Sequence, residues 1–410
     1  MKVLMVHNSY QQHGGEDVVT ENERQILSAH GHQVCTYARH NEEINHYGFI
    51  AKATLPLRTL WAWDSATDIR RIIRHERPHI AHFHNTFPLI SPSAYYACRE
   101  AGIPVVQSLD NPRLFCPAAT TYRDGRVCVD CLGKIPALPA IRHACYRDSR
   151  AQTAVVSGML ALHSYLNTWN RLVDAYVVAT DFYRRTFIEA GLPQEKITVK
   201  PHFVPFDVCP STGSKDYALF VGRLTPEKGV LTLLQAWSHL RSHQIPLKIR
   251  GDGPLLSQVH RSTCERGIEV VPRLSREKLA DLMRGARFLI WPSEGYYETF
   301  GLVAAEAFAC GVPVIASRSG VMAEIVADQR TGLHFNPGDP QDLAATVEWA
   351  WTHPSQMTVM GAAARVEYET KFTPESSYVT LMEIYHKALN SKTSKRIDPV
   401  EHHFASEIGD

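Results

Sequence analysis

The sequence predicts an α/β protein of two doubly wound, Rossmann-like halves, and three observations lead there. Short Val/Ile/Leu runs alternate with amphipathic stretches and Gly/Pro turns through most of the chain, the pattern of parallel strands joined by crossover helices. At 410 residues the chain exceeds the ~250–300 beyond which one hydrophobic core stops growing, so two domains are expected. The alternation breaks at Pro201-His202-Phe203-Val204-Pro205 and on to Ser214, where prolines and small polar residues replace periodic structure, and then begins again. The expected division is 1–205, 206–373, a C-terminal helix over 374–390 packing back toward the first domain, and a mobile polar tail over 391–410. A cleft between two such halves is a natural active site.

In chain order, the first half opens with a strand over 2–6, a loop through Gly14-Gly15-Glu16 and a helix from Asp17 to Ala29 that stops at Gly31. Strands are predicted again over 33–38, 79–83, 103–108 and 174–179. The second half repeats the pattern with strands over 217–221, 246–250, 268–271, 287–291 and 312–315. The 43 Lys and Arg against 42 Asp and Glu give no global field for nucleic acid. The apolar run Met1–Val6 is too short for an export signal, and no segment reaches the ~18 apolar residues of a membrane span. With nine cysteines and no export signal, the expected setting is a reducing cytoplasm.

Three junctions in the second half carry chemistry. Gly222-Arg223-Leu224-Thr225-Pro226-Glu227-Lys228-Gly229 follows a predicted strand. Two cations at the carboxyl edge of a parallel sheet can clamp a diphosphate, Arg bidentately and Lys as a compact charge. Ile249-Arg250-Gly251-Asp252-Gly253-Pro254-Leu255 is a second strand–glycine–helix junction, weak by itself because such turns are common in this fold class. The third runs from Ser293 through Glu298-Thr299-Phe300-Gly301-Leu302 to Glu306 and enters a helix near Gly301, whose free N–H groups and positive dipole end favour a phosphate. Were residues 298–306 all helical, the two carboxylates would stand about 12 Å apart along the axis. A glycosidase pair needs roughly 5–9.5 Å, so hydrolysis is disfavoured. The separation suits one carboxylate near a reacting sugar and another on a ribose. Each element alone also reads as solvated loop charges.

Taken in order, Gly-Arg-x4-Lys-Gly, Gly-Asp-Gly-Pro-Leu, Pro-Ser-x4-Glu-x-Phe-Gly-x4-Glu-Ala and Gly-Val-Pro-Val-Ile-Ala-Ser (311–317) resemble the C-terminal domain of retaining GT-B glycosyltransferases of family 4, of the exopolysaccharide and lipopolysaccharide type. The resemblance implies a nucleotide-sugar donor, UDP- or GDP-linked, in the C-terminal half and an acceptor, a glycan or a lipid-linked sugar, on the N-terminal side. It implies that Arg223 and Lys228 hold the diphosphate, that Glu298 serves the sugar and that Glu306 serves the ribose. Gly222, Gly251, Gly253, Phe300, Gly301 and Leu302 complete the implied donor site, and Gly14 and Gly15 face its phosphate across the cleft. Arg223, Lys228 and Glu298 are the expected catalytic residues, with no cofactor required. Relatives usually show two glycines where this chain has Ser319-Gly320-Val321-Met322, so Val321 is expected to narrow the donor pocket.

On the acceptor side the candidates are His84, Asn85 and Asp110. His82 and His84 alternate onto one face of a strand, but without a nearby carboxylate in sequence they make a poor zinc signature and read better as core histidines, only His84 and Asn85 being placed to reach the cleft. Asp110 stands where the resemblance leads one to expect His, in Ser108-Leu109-Asp110-Asn111-Pro112-Arg113-Leu114-Phe115-Cys116-Pro117. An Asp can accept from a sugar hydroxyl but cannot copy a neutral imidazole donor, so donor preference or activity itself is open. A non-enzymatic nucleotide-sugar-binding or scaffolding protein is the rival reading. Cys116, Cys128, Cys131 and Cys145 fall in an insertion at about 112–148 with one C-x2-C knuckle. Structural zinc, buried thiols and a disulfide all remain open, the reducing setting favouring the first two. Finally, Phe49 to Trp63 mixes aromatic, aliphatic and basic residues. It reads as a packing segment, since Pro56 interrupts a long helix, or as a peripheral contact with the inner membrane face.

Overall fold

A computed structural model of the chain describes residues 1–11, 14–205, 215–240, 245–262, 267–295 and 298–395. Two six-stranded parallel sheets organise it. The first contains β1 (Lys2–Ser9), β2 (Gln33–His40), β3 (Ile80–Phe83), β4 (Val105–Ser108), β7 (Ala175–Val178) and β8 (Ile197–Val199) in the order β2-β1-β3-β4-β7-β8. A small antiparallel hairpin, β5 (Tyr122–Arg123) and β6 (Arg126–Val127), stands apart from it. The second sheet contains β9 (Tyr217–Val221), β10 (Leu247–Arg250), β11 (Ile268–Val271), β12 (Ala286–Trp291), β13 (Val314–Ser317) and β14 (Gly332–Phe335) in the order β11-β10-β9-β12-β13-β14.

Central strands such as β3, β4 and β7 are buried at every position, as expected of strands covered on both faces. The helix Gly15–Ala29 shows why sequence sets position: Val19, Thr20, Glu23, Ile26 and Leu27 recur at helical spacing and all are buried. The last helix, Pro374–Lys395, leaves the second half and lays Leu381, Ile384, Tyr385 and Ala388 against Val3, Met5, Ile80, Val106 and Val177 of the first sheet.

Several features depart from the expectation, beginning with β1, which runs on to Ser9, and β4, which starts only at Val105. The outermost strands β8 and β14, and the hairpin, carry too few residues to show a period. The strand predicted over 312–315 runs instead over Val314–Ser317, because Val312 and Pro313 belong to the turn that ends the preceding helix. The final helix continues to Lys395, five residues beyond the predicted end. Residues 206–214 of the predicted linker and 396–410 of the predicted tail lie outside the described residues.

Candidate active site

In the first sheet the strand order reverses between β1 and β3, and in the second between β9 and β12. Loops leaving the carboxyl ends of such strand pairs diverge and open a crevice, the usual ligand position in this fold class. The Gly14-Gly15 turn and His84-Asn85 leave the first switch point; the loops 222–229 and 292–301 leave the second.

Those last two loops are stitched together. The Glu294 N–H donates to the Glu227 carbonyl at 3.0 Å, Thr232 bonds the Glu294 carboxylate, and Gly229 lies under Pro292. Gly229 has φ +69°, and an added Cβ would stand 1.9 Å from the Pro292 oxygen, so both conformation and space demand glycine. Across this seam the Lys228 ammonium bonds Oε1 of Glu298. The same oxygen accepts from Ser293 Oγ at 2.9 Å and Trp291 Nε1 at 3.2 Å. Burial alone would raise the Glu298 pKa, but the Lys228 charge and these three donors hold it below the usual carboxylate range. Arg223 is half exposed, with its guanidinium 3.8 Å from Glu227.

Gly301 caps the helix Leu302–Ala309 in the left-handed region at φ +88°, and a Cβ there would overlap the Trp291 ring at 2.1 Å. That contact seats the helix N-terminus beside Glu298. Glu306, along the same helix, is pushed up to about 7 by burial, with Arg276 and Arg250 pulling it down. The structure supplies a packing reason for the other glycines. A Cβ on Gly251 would meet the Gly222 oxygen at 2.1 Å, and one on Gly253 the Leu224 oxygen at 2.6 Å. Phe300 is buried, its ring edge-on to His202 of the interdomain segment.

On the N-terminal side, Asp17 accepts from the Gly14 N–H at 2.8 Å and pairs with His7 at 2.9 Å, which shapes the glycine turn. Glu16 accepts from Asn111 at 2.8 Å, and burial and Asp110 push its pKa up to about 7. The side chain of His84 is fully buried, and Asn85 uses its amide on the Asn8 carbonyl and the Phe87 N–H. Both were expected to reach the cleft; in the structure they line a cavity of about 50 Å³ together with Asp110 and Asn111. Asp110 is also buried, 3.5 Å from His84 Nδ1 and 3.4 Å from His202 Nε2.

Three residues of this network escaped the sequence reading: Glu23, Lys200 and His202. Glu23 lies 2.6 Å from the Lys200 ammonium and 3.5–3.6 Å from His84 and His82, and the network continues through His84 and Asp110 to His202. Burial works against its charge, and Lys200, His84 and His82 outweigh it, holding Glu23 well below the carboxylate range. Among the described residues, Glu23, His82 and His84 form a group close enough to hold a metal ion. The Lys200 ammonium already supplies the cation that Glu23 needs, so the group reads as an ion-pair network. A signal existed: Glu23 falls on the apolar face of its helix.

The halves also meet directly. Glu324 accepts from the Asp181 and Phe182 N–H groups, both at 2.7 Å, capping the helix Asp181–Glu189 from across the cleft. Val321 is buried within the helix Gly320–Ile325. The segment 49–63 forms two short helices, Phe49–Ala53 and Leu55–Leu60, and exposes Phe49, Ile50, Leu57 and Trp63. No helix among the described residues is long and apolar enough to cross a membrane.

Two parallel-sheet halves facing a cleft, with the loops at both switch points turned toward it, define the GT-B architecture. A solved structure of Anabaena HepE in complex with UDP and glucose shares it with a TM-score of 0.64 at 17% identity, over 94% of this chain and 99% of that one. In sequence, residues 13–208 match the family described as Glycosyltransferase Family 4 and residues 208–367 match Glycosyl transferases group 1. The chain thus has the GT-B fold, and its two halves each match a glycosyltransferase family. It is similar to an uncharacterized glycosyltransferase of Methanocaldococcus jannaschii, 28% identical over 51% of this chain and 58% of the relative. It is also similar to D-inositol 3-phosphate glycosyltransferase 2 of Catenulispora acidiphila, 34% identical over 43% of this chain and 44% of the relative. The match thus spans about half the length of these relatives.

Proposed function

We propose that the protein is a retaining glycosyltransferase that moves a hexosyl unit from a UDP- or GDP-linked sugar to a hydroxyl of a glycan or lipid-linked acceptor, in cell-surface polysaccharide assembly. The observation that carries this reading is the Lys228–Glu298 pair, held where two stitched loops leave the switch point of the second sheet. Arg223, Lys228 and the N-terminus of the helix 302–309 form the cationic side of the site and meet the charge that grows on a departing nucleoside diphosphate. Glu298, kept ionised, accepts from donor-sugar hydroxyls, and Glu306 serves the ribose diol. The acceptor attacks from the face the phosphate leaves, its proton passing to a phosphate oxygen, so configuration is retained without a dedicated protein base. With two cations on the diphosphate, the reading requires no metal ion at this site. The nucleotide class is supported by HepE, whose structure holds UDP and glucose.

In this reading the protein works in the cytoplasm, with the exposed Phe49, Ile50, Leu57 and Trp63 toward the inner membrane face that presents lipid-linked acceptors. Incubation with a panel of UDP- and GDP-sugars tests it: slow donor hydrolysis by the wild type, lost in Glu298→Gln, is expected. Failure to bind or cleave any of them overturns the reading. The buried pairing of Asp110 with His84 and His202 favours a second one, a donor-binding protein without transfer. Binding with no hydrolysis and no transfer would select it.

A further inference from the structure

The cysteine insertion takes no part in the chemistry above, yet four of its cysteines share one lining. Cys116, Cys128, Cys131 and Cys145 all line one cavity, together with Tyr122 and Arg123 of the hairpin. Its volume of about 20 Å³ suits a single water-sized or ion-sized guest. Each thiol arrives on a different piece of backbone. Cys116 ends the turn that starts at Pro112, Cys128 follows β6 with its N–H on the Thr121 carbonyl, Cys131 begins the turn to Lys134, and Cys145 closes the short helix Leu138–Arg142 with its N–H on the Ala140 carbonyl. Cys131, Ala137 and Ala140 form a small buried cluster with Cys145 packed on it, while Phe115, Leu114, Cys116, Leu132 and Tyr146 join the main core of the first half. So small a cluster of its own leaves a cross-link among these loops a substantial part to play in holding the insertion together.

We propose that Cys116, Cys128, Cys131 and Cys145 form a four-thiolate site for one zinc ion, which fixes the hairpin 122–127 to the rest of the insertion. One feature of the surroundings fits thiolate ligation: Arg123 lines the same cavity, and its guanidinium, paired with Asp124 and Asp130, brings a positive charge beside the net double negative charge of a zinc tetrathiolate. All four cysteines are free thiols in the structure, and no three of their sulfurs lie within 4.8 Å of one another. A tetrahedral site with Zn–S of about 2.3 Å is tighter, so binding draws the thiols inward. Each S–H exchanged for a Zn–S bond releases one proton to solvent, four in all if all four start protonated.

The site bears on the cleft through Tyr122. Its phenol pKa is raised by burial and then by Glu294 and Glu227, the two residues that join the donor loops. The hairpin thus lies within electrostatic reach of Glu294 and Glu227.

The test is metal analysis of the full chain, expressed with added zinc and purified without chelator. About one zinc per chain is expected, with four thiols protected from a thiol reagent under native conditions and exposed when zinc is removed. A Cys128→Ser/Cys131→Ser variant should carry no zinc, and a Cys35→Ser control should keep it. Because the double variant can misfold, the wild type is also stripped and titrated with cobalt(II), whose thiolate charge-transfer absorption should saturate at about one equivalent. Wild-type protein that retains no zinc and gives no such absorption overturns the proposal, as does a disulfide among the four found by mass spectrometry of the unreduced protein.

Discussion

Glu298 gathers three donors onto one oxygen, and the strongest of them, Lys228, comes from the other loop. Charge-assisted hydrogen bonds of this kind are worth about 1.5–3 kcal/mol, so replacing Lys228 by Ala removes the proposed phosphate ligand and also leaves a buried carboxylate short of its cation. Glu306 makes a separate prediction. Its pKa is raised from 4.5 to about 7, so the folded state holds a proton that the unfolded state has released between those values. The stability this contributes is complete below about pH 4.5 and is lost as pH rises through 7. Glu306→Gln should therefore become progressively more stable than wild type from pH 5 to pH 8, by an increment of order 2–3 kcal/mol. Denaturant midpoints measured across that range check it, and a constant difference would contradict it. Comparing the two proteins at each pH removes the opposing contribution of His82 and His202, whose pKa values burial lowers to about 3 and 4. At this scale a motif drew attention to Lys228 and Glu298, which the structure pairs. The sequence was not legible where no motif marks partners distant in the chain, as with Glu23 and Lys200, 177 positions apart.

The two donor loops behave as one element because Gly229 allows them to touch. Gly229→Ala forces a left-handed backbone on an L residue and drives its Cβ into the Pro292 carbonyl. The loops must part, and a loss of about 1–3 kcal/mol together with weakened nucleotide binding is expected, read by a denaturation midpoint and a binding titration. Gly48→Ala, at φ −67° and with nothing within 4 Å of an added Cβ, is the matched control. The helix Gly15–Ala29 is tied to the segment after β8 by the Glu23–Lys200 pair, both side chains being 1% exposed. Lys200→Met leaves the Glu23 charge buried without its main partner and should cost about 3–5 kcal/mol; an unchanged midpoint would show that His82 and His84 suffice. Long, buried strands flanked by glycines were readable from periodicity alone. The edge strands β8 and β14 and the two-residue arms of the hairpin were not, since their existence depends on neighbours already in place.

Across the whole molecule, the halves are coupled by polar contacts at several points: Glu324 on the helix Asp181–Glu189, Thr180 on the Thr299 carbonyl at 3.3 Å, and the ring of His202 against Phe300. The final helix completes the coupling by packing on the first sheet. The two-domain plan was legible in the sequence because the strand–helix alternation stops and restarts; these bridges were not, because each joins partners far apart in the chain, even where Thr299 and Phe300 fall in a motif. Asp110 also acquires its meaning only here, as one link between His84 and the interdomain His202. The account rests on the seam between the donor loops as the seat of a nucleoside diphosphate. The most direct measurement is calorimetric titration of UDP and of GDP into wild type and Lys228→Ala. Binding of at least one nucleotide by the wild type, weakened about 10–100-fold in the variant, is the predicted result. Equal affinity in the two proteins would contradict it.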